Sequence, residues 1–315
     1  MERLIITGAT GFIGQNLLPE IIKQFPEIRI LTVNRHAGKA MDMFPFKQCE
    51  HIEGLQPETI QRFNPEIAFH LATLTTADNS LSAIKPMVET NITFGTELLS
   101  ILGDCADFKL FVNVGSFSEY SSGVEQINDA YLYAATKSAF RAMVAYYSRL
   151  RGFKSITATP YSVYGGKPTV KRLIDYLLES INAENPVSMT EGEQMLDFIH
   201  VDDVVSFFVY LLNNPALCDS LNNGAEFHLG TGIGTSIREL ASMAEEISGK
   251  KCNIRWGGRP YREQDIMYAV APTPNNRSGI NWHANTSLKE GLLAAILSLH
   301  NCLKPVSDSQ FLILN

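Results

Sequence analysis

Leu4-Ile5-Ile6-Thr7-Gly8-Ala9-Thr10-Gly11-Phe12-Ile13-Gly14 constrains this chain more than any other stretch. Its apolar opening has no room for a turn and predicts a buried strand. After the glycines, Leu17, Leu18, Ile21 and Ile22 recur with helical period. A strand that turns through glycines into a helix presents bare backbone N–H groups and the positive helix end to an anion. Gly8 permits the tight turn, Gly11 lets a pyrophosphate approach the backbone, and Gly14 lets helix and strand pack closely. The spacing is G-x-x-G-x-x-G rather than G-x-G-x-x-G. Glycines also mark ordinary turns, so it is the flanking strand and helix that point to a dinucleotide. Thr10, Phe12 and Ile13 complete the expected cradle.

The second strand, Ile28 to Val33, runs into Asn34-Arg35-His36, where an NAD enzyme would carry an acid for the adenosine ribose. No carboxylate stands there. Asn34 can hydrogen-bond a ribose without repelling a phosphate, and Arg35, with Lys39 nearby, offers positive charge to a 2′-phosphate. A solvated basic turn is the plainer alternative; beside a dinucleotide loop the charge reversal favours NADP(H), with NAD as the alternative. Residues 37–63 are less legible, although Ile52 to Leu55 could end a third strand.

Pro65 to Ala72 predicts a strand ending in small residues, at which Leu71 and Ala72 would let backbone approach the cofactor. His70 there reads as a packed or hydrogen-bonded core histidine rather than a catalyst. Pro86 can begin a helix carrying Asn91, Gly95 and Leu98. Leu110 to Val114 predicts another strand, which breaks into Gly115-Ser116-Phe117-Ser118-Glu119-Tyr120. Tyr131 to Lys137 then opens a long helix reaching about Arg149. Tyr133 and Lys137, four apart, share one helical face. A phenol with a reference pKa of about 10 exchanges protons poorly at neutral pH, and a nearby ammonium together with the cofactor's charge favours its ionised form. Most Y-x-x-x-K pairs are surface pairs; this one gains weight from the upstream glycine loop and from Ser116, which can hydrogen-bond the same substrate oxygen. Tyr131 reads as a decoy, since its i+4 partner is Ala135.

Composition excludes several classes. With 315 residues, 45% hydrophobic and 19% charged, the chain is an ordinary globule with a full core. A net charge of −7 argues against non-specific nucleic-acid binding. No run reaches membrane-spanning length and no basic start precedes an early apolar segment, so a cytoplasmic protein is expected. The 5 cysteines are scattered, without C-x-x-C, which fits reduced thiols and no metal framework.

These motifs together resemble the extended short-chain dehydrogenase/reductase family of NAD(P)-dependent nucleotide-sugar epimerases, dehydratases and reductases. The resemblance extends through Ser82, Asn91 to Leu99, Val163-Tyr164-Gly165, Asp197 to Val204, Phe227 to Gly232, Thr235 to Leu240, Arg259-Pro260, Gly279 to Trp282 and Ser287 to Leu292. It implies an α/β, doubly wound parallel sheet (Rossmann) with a smaller discontinuous C-terminal lobe for the nucleotide sugar. Residues 1–165 and about 202–245 would bind the dinucleotide, about 166–201 and 246–302 would form the lobe, and 303–315 lie outside the match. It implies Ser116, Tyr133 and Lys137 as catalytic residues, and Asn91, Tyr133 and Lys137 at the cofactor. Ser82, Ser116, Phe117, Ser162, Arg259 and Arg262 would meet the substrate. A local basic gathering (Lys167, Lys171, Arg172, Arg255, Arg259, Arg262) suits a diphosphate, and the family commonly forms homodimers through the helices carrying Asn91 and Tyr133.

Departures from the pattern narrow the reaction. Where the family's 4,6-dehydratases carry acids after the catalytic Ser/Thr, this chain has Phe117 and Ser118, so dehydration is disfavoured. Leu196 replaces a common arginine, Tyr261-Arg262 replace a glycine and an acid, and Pro272 stands near a common late aspartate; a rearranged diphosphate pocket is expected. The GSxSEY and RPYRE segments resemble reductase-like members acting on CDP- or dTDP-linked deoxysugars. With Asn34-Arg35 favouring NADPH, the expected reaction is reduction of a nucleotide-linked 4-keto-6-deoxy sugar. An epimerase with tightly held NAD is the alternative. A non-catalytic NADP-binding sensor is disfavoured by the intact Ser/Tyr/Lys set.

Overall fold

The structure, a computed structural model, describes residues 2–166, 170–272 and 280–302. The strands are β1 (Arg3–Thr7), β2 (Arg29–Asn34), β3 (Cys49–Glu53), β4 (Ile67–His70), β5 (Leu110–Val114), β6 (Lys154–Pro160), β7 (Ser162–Tyr164), β8 (Val187–Ser188), β9 (Met195–His200), β10 (Ala225–Leu229), β11 (Gly234–Ser236), β12 (Ile254–Arg255) and β13 (Tyr268–Ala269). The helices are α1 (Phe12–Gln24), α2 (Ala37–Met43), α3 (Pro57–Phe63), α4 (Leu81–Val88), α5 (Phe94–Leu102), α6 (Leu132–Arg151), α7 (Leu173–Ser180), α8 (Val201–Asn213), α9 (Pro215–Ser220), α10 (Ile237–Ser248) and α11 (Leu288–Cys302).

Seven strands form one sheet in the order β10-β6-β5-β4-β1-β2-β3, and every pairing is parallel. Helices cover both faces, which is why β1 and β5 read as continuous apolar runs rather than alternating ones. One face buries Leu17, Leu18, Phe207 and Phe208 from α1 and α8; the other buries Leu98, Leu99 and Phe140 from α5 and α6. Strand order reverses between β1 and β4, and ligands of such sheets bind outside the carboxyl ends of the strands at that point. This is the doubly wound α/β fold expected from the sequence.

A second, smaller sheet is centred on β9, which pairs with β7, β11 and β13. A third core lies beneath it, built from Ile174, Leu177, Leu240 and Leu292. α10, placed with the dinucleotide-binding part in the sequence reading, buries its apolar face in this third core. Two buried carboxylates fix the connections. Asp197 accepts from the backbone N–H groups of Thr231 (2.9 Å), Gly232 (2.7 Å) and Ala271 (3.2 Å). Asp203 accepts from those of Asn285 (2.9 Å) and Thr286 (3.1 Å). Each carboxylate therefore ties two or three backbone donors from distant loops to one buried charge.

One local expectation is corrected. Pro86 does not begin a helix; it lies inside α4, which starts at Leu81 after Ser80 in extended conformation. A proline lacks the N–H that a helix interior needs. The helical path widens just beyond it into a π-helical turn, Glu89–Thr93, before α5 continues. That turn carries Asn91.

Candidate active site

The carboxyl ends of β1, β4 and β5 bring the predicted residues to one edge. Gly8 has φ +71, and a Cβ there would stand 2.6 Å from the amide nitrogen of Ala72. Thr7 ties the same two turns together, because its hydroxyl accepts from Ala72 N–H at 3.1 Å and pairs with His70 Nδ1 at 2.9 Å. A Cβ at Gly14 would lie 2.4 Å from the carbonyl oxygen of Gly8, so only glycine allows α1 to start so close to β1. Gly11 caps α1 with extended backbone and no side-chain hydrogen bond, and the first turn holds no acid. Thr10, Phe12 and Ile13 surround this uncapped, positive helix end, a cradle that fits a pyrophosphate. Leu71 and Ala72 form its second wall.

His70 is buried among Phe94, Phe111 and Phe140. Burial, helped by the charge of Lys137, brings it down to about 3, so it stays neutral as a core histidine. At the end of β2, Asn34 directs its amide nitrogen to Thr32 Oγ1 at 2.8 Å and the Thr32 carbonyl at 3.1 Å. Arg35 and Lys39 are exposed and enter no ion pair among the described residues. Glu53 pairs with Asn34 across β3 and accepts from Ala37 N–H at 3.2 Å.

Lys137 is buried and donates to the Val114 carbonyl at 3.0 Å, where β5 ends. Burial lowers it to about 8; Glu119 opposes that fall and Arg141 adds to it. Its ammonium lies 5.9 Å from the centroid of the Tyr133 ring. The expected depression of the Tyr133 phenol by Lys137 is not what this arrangement shows. Burial dominates and pushes the phenol up, although the nearby hydroxyls of Thr75 and Thr73 favour its ionised form. The physical reason is burial, which disfavours the charged phenolate. Asn91 holds the adjoining wall, accepting from Leu74 N–H (2.7 Å) and Thr73 Oγ1 (3.1 Å) and donating to Thr136 Oγ1 (3.0 Å). Its amide therefore fixes the loop that carries Thr73.

Ser116 caps a single 3-10 turn, Phe117–Glu119, in a reciprocal capping box. Its Oγ lies 2.7 Å from Ser118 Oγ and accepts from Ser118 N–H at 3.2 Å. Glu119 is fully buried beneath this turn, ion-paired to Arg141 at 2.5 Å. Arg141 also holds Glu226 at 2.8 Å, which accepts from Tyr120 at 2.6 Å. Sequence reasoning missed this network and the Thr73 and Thr75 contacts, because their partners lie on separate elements.

A cavity of about 280 Å³ opens between the glycine turn and the smaller sheet. Phe12, Phe117, Ser162, Leu196, Phe198 and Arg172 are among its lining residues. Phe117 stacks on Tyr161 with ring centroids 5.8 Å apart. The Arg172 guanidinium lies 4.0 Å from the Phe12 ring centroid and donates to the Val163 carbonyl at 3.2 Å. The basic gathering is therefore dispersed. Arg172 lines the cavity, Lys171 pairs with Glu179 at 2.7 Å, Arg255, Arg259 and Arg262 are exposed, and Lys167 lies outside the described residues. Ser82 is exposed on α4, its Oγ 2.9 Å from that of Ser80. Gly279 and residues 303–315 also lie outside the described residues.

A sequence model described as the NAD dependent epimerase/dehydratase family matches residues 4–224. The chain belongs to this family. Among its relatives, the CDP-abequose synthase of Salmonella typhimurium is 27% identical over 297 residues, spanning 92% of this chain and 96% of the relative. The UDP-glucose 4-epimerase of Mycolicibacterium smegmatis is 24% identical over 318 residues, spanning 95% and 99%. Among solved structures, MoeE5 in complex with UDP-glucuronic acid and NAD superposes with a TM-score of 0.81 at 23% identity, covering 96% of this chain and 100% of that one. The dTDP-glucose 4,6-dehydratase DesIV of Streptomyces venezuelae gives 0.81 at 17%, covering 95% and 97%. These structural likenesses establish the epimerase/dehydratase fold, and the relatives carry several different reactions on it.

Proposed function

We propose that this member of the epimerase/dehydratase family is an NADPH-dependent reductase of a nucleotide-linked 4-keto-6-deoxy sugar. The observation that carries the reading is the charge at the end of β2. Exposed Arg35, with Lys39, stands where an NAD enzyme would carry an acid, and cationic groups there suit a 2′-phosphate. The glycine turn would hold the pyrophosphate, and Lys137 the nicotinamide ribose. When bound, the nicotinamide supplies hydride to the keto carbon. Tyr133 delivers a proton to the carbonyl oxygen, and Ser116 orients that oxygen by hydrogen bonding. A phenol raised by burial keeps its proton at neutral pH, the state a proton donor requires.

Two CDP-abequose synthases from different organisms among the relatives support a nucleotide-linked sugar as substrate. The cavity lined by Phe117, Ser162 and Arg172 is its proposed seat, with Arg259 and Arg262 at the diphosphate and Ser82 on the sugar side. Residues about 166–201 and 246–302 form the proposed sugar lobe. Dehydration remains disfavoured: Phe117 has no acid–base group, and Glu119 is locked beneath the turn by Arg141. A homodimer is proposed through α4 and α6, whose exposed residues include Leu81, Ile84, Val88, Met143, Tyr146 and Leu150.

The second reading is an NAD-dependent epimerase. It is favoured by Glu53, at the end of β3, whose carboxylate accepts from the Ala37 N–H two residues after Arg35 and would oppose a 2′-phosphate. Arg35→Ala separates the two. It should weaken NADPH binding at least about tenfold more than NADH binding, the loss of a charge-assisted contact. Equal losses would remove the cofactor argument for reduction.

A further inference from the structure

The side chain that follows Ser116 gives the cavity an apolar wall. Phe117 opens the 3-10 turn that Ser116 caps, and it is half-buried. Its ring stacks on that of Tyr161, with centroids 5.8 Å and planes 22° apart. Phe117 and Leu196 pack against the small core that contains Tyr161 and Ala269. Phe117, Tyr161, Leu196 and Phe198 all line the cavity of about 280 Å³. The turn after β5, the segment between β6 and β7, and β9 thus meet in one surface of rings and alkyl groups.

The polar groups next to this wall are committed elsewhere. The Tyr161 hydroxyl lies 3.3 Å from His228 Nδ1 on β10. Ser118 Oγ lies 2.7 Å from Ser116 Oγ, and Glu119 is ion-paired to Arg141. Asp197, next to Leu196, is fully buried and accepts from the N–H groups of Thr231, Gly232 and Ala271. A hydroxyl pressed against the stacked rings would therefore lose water without gaining a partner, which is unfavourable. A methyl group in the same place only gains apolar burial.

Consecutive residues stand about 3.8 Å apart, so a sugar whose reacting C4 oxygen lies at Ser116 sets a neighbouring substituent against Phe117. Of the groups on the carbons that flank C4, the exocyclic C6 is the one that occurs as a methyl. We infer that the Phe117–Tyr161 stack is the specificity-determining wall of the sugar seat, taking C6 as a methyl group and turning away a hydroxymethyl. This rests on the reading of the cavity as the sugar seat with Ser116 at the reacting oxygen, and it does not depend on hydride transfer.

The test reads affinity and needs no turnover. Protein saturated with NADPH is titrated calorimetrically with dTDP-6-deoxyglucose and dTDP-glucose, and with the same two sugars on CDP. NADPH and a 4-hydroxy sugar are an unreactive pair. Within either nucleotide series the wild type should hold the 6-deoxy sugar about 10- to 100-fold more tightly, the scale set by one unpaired hydroxyl. Phe117→Leu keeps the wall apolar and should keep the preference. Tyr161→Phe gives up the His228 contact, keeps the stack, and should keep it too. Phe117→Ser opens the wall to water and should bring the two affinities together.

Equal affinities in the wild type would overturn the inference, since Ser162, which also lines the cavity, or a water would then be satisfying the 6-hydroxyl. A preference that survives Phe117→Ser would overturn it as well. If thermal melting shows that Phe117→Ser does not fold, Phe117→Tyr, which keeps the stack and adds a hydroxyl to the wall, must narrow the preference in its place. Wild-type protein that binds none of these sugars would remove the sugar seat and the inference with it. Failure to oxidise NADPH with a 4-keto sugar would instead remove the reductase reading alone, leaving the affinity ratio to decide the wall.

Discussion

The backbone N–H of Ser116 donates to the Glu119 carboxylate at 2.6 Å, so the loop carrying the proposed catalytic serine is fastened to a fully buried charge. That charge is balanced by Arg141, which reaches on to Glu226. Glu119 also favours the protonated form of Lys137. One carboxylate thus links the two sides of the site, the serine loop and the lysine on α6.

Removing it should be costly. Glu119→Ala leaves Arg141, 17% exposed, facing Glu226 alone, and leaves the Ser116 N–H unpaired. Breaking a buried pair by removing one partner costs about 3–5 kcal/mol. Denaturant unfolding should show a loss of that size, and Arg141→Met added to Glu119→Ala should recover part of it. A loss below about 1 kcal/mol would contradict the network's structural role.

The glycine turn makes a sharper geometric prediction. Gly8→Ala must place a Cβ against the Ala72 backbone at a positive φ, so it should destabilise by at least about 2 kcal/mol and impair dinucleotide binding. Gly38→Ala is the control. It lies in α2 with no heavy atom within 4 Å of a new Cβ, and should be neutral or stabilise by about 0.5–1 kcal/mol. Thermal melts and NADPH titrations of the two variants check both statements.

Lys137 sets a pH dependence. Its folded value is about 8 against an ordinary 10.5. Between those values the unfolded chain binds a proton that the folded chain does not, so stability rises with pH across about 8 to 10.5. Below about 8 both states are protonated and the burial penalty stands in full. Lys137→Met should therefore be more stable than wild type near neutral pH, by about 3 kcal/mol, with the gap closing towards pH 10.5. Urea midpoints of both proteins across that range measure it; a gap independent of pH would contradict it.

What was legible in the sequence was what is local. The Gly8–Gly14 turn and the shared helical face of Tyr133 and Lys137 depend on residues a few positions apart, and apolar runs mark buried strands, while the doubly wound sheet followed from the family resemblance. What was hidden depends on strands and helices meeting. Pro86 looked like a helix start because proline favours first turns, but the π-helical turn that follows it leaves no such signature. Thr73 and Thr75 act on Tyr133 from the loop after β4, far from α6 in sequence. Arg172 was visible as charge but not as the guanidinium over Phe12, since α7 and α1 are distant in sequence. Burial, which pushes the Tyr133 phenol up in the protein alone, was not visible either, because spacing gives the face of a helix and not what surrounds it.

The most direct measurement is nicotinamide absorbance during incubation of the protein with NADPH and a freshly prepared 4-keto-6-deoxy nucleotide sugar. The account predicts NADPH oxidation in step with sugar consumed, and its loss by about a thousandfold in Tyr133→Phe while NADPH still binds. No oxidation by wild type, together with inversion of a 4-hydroxy nucleotide sugar without added nicotinamide, would contradict it.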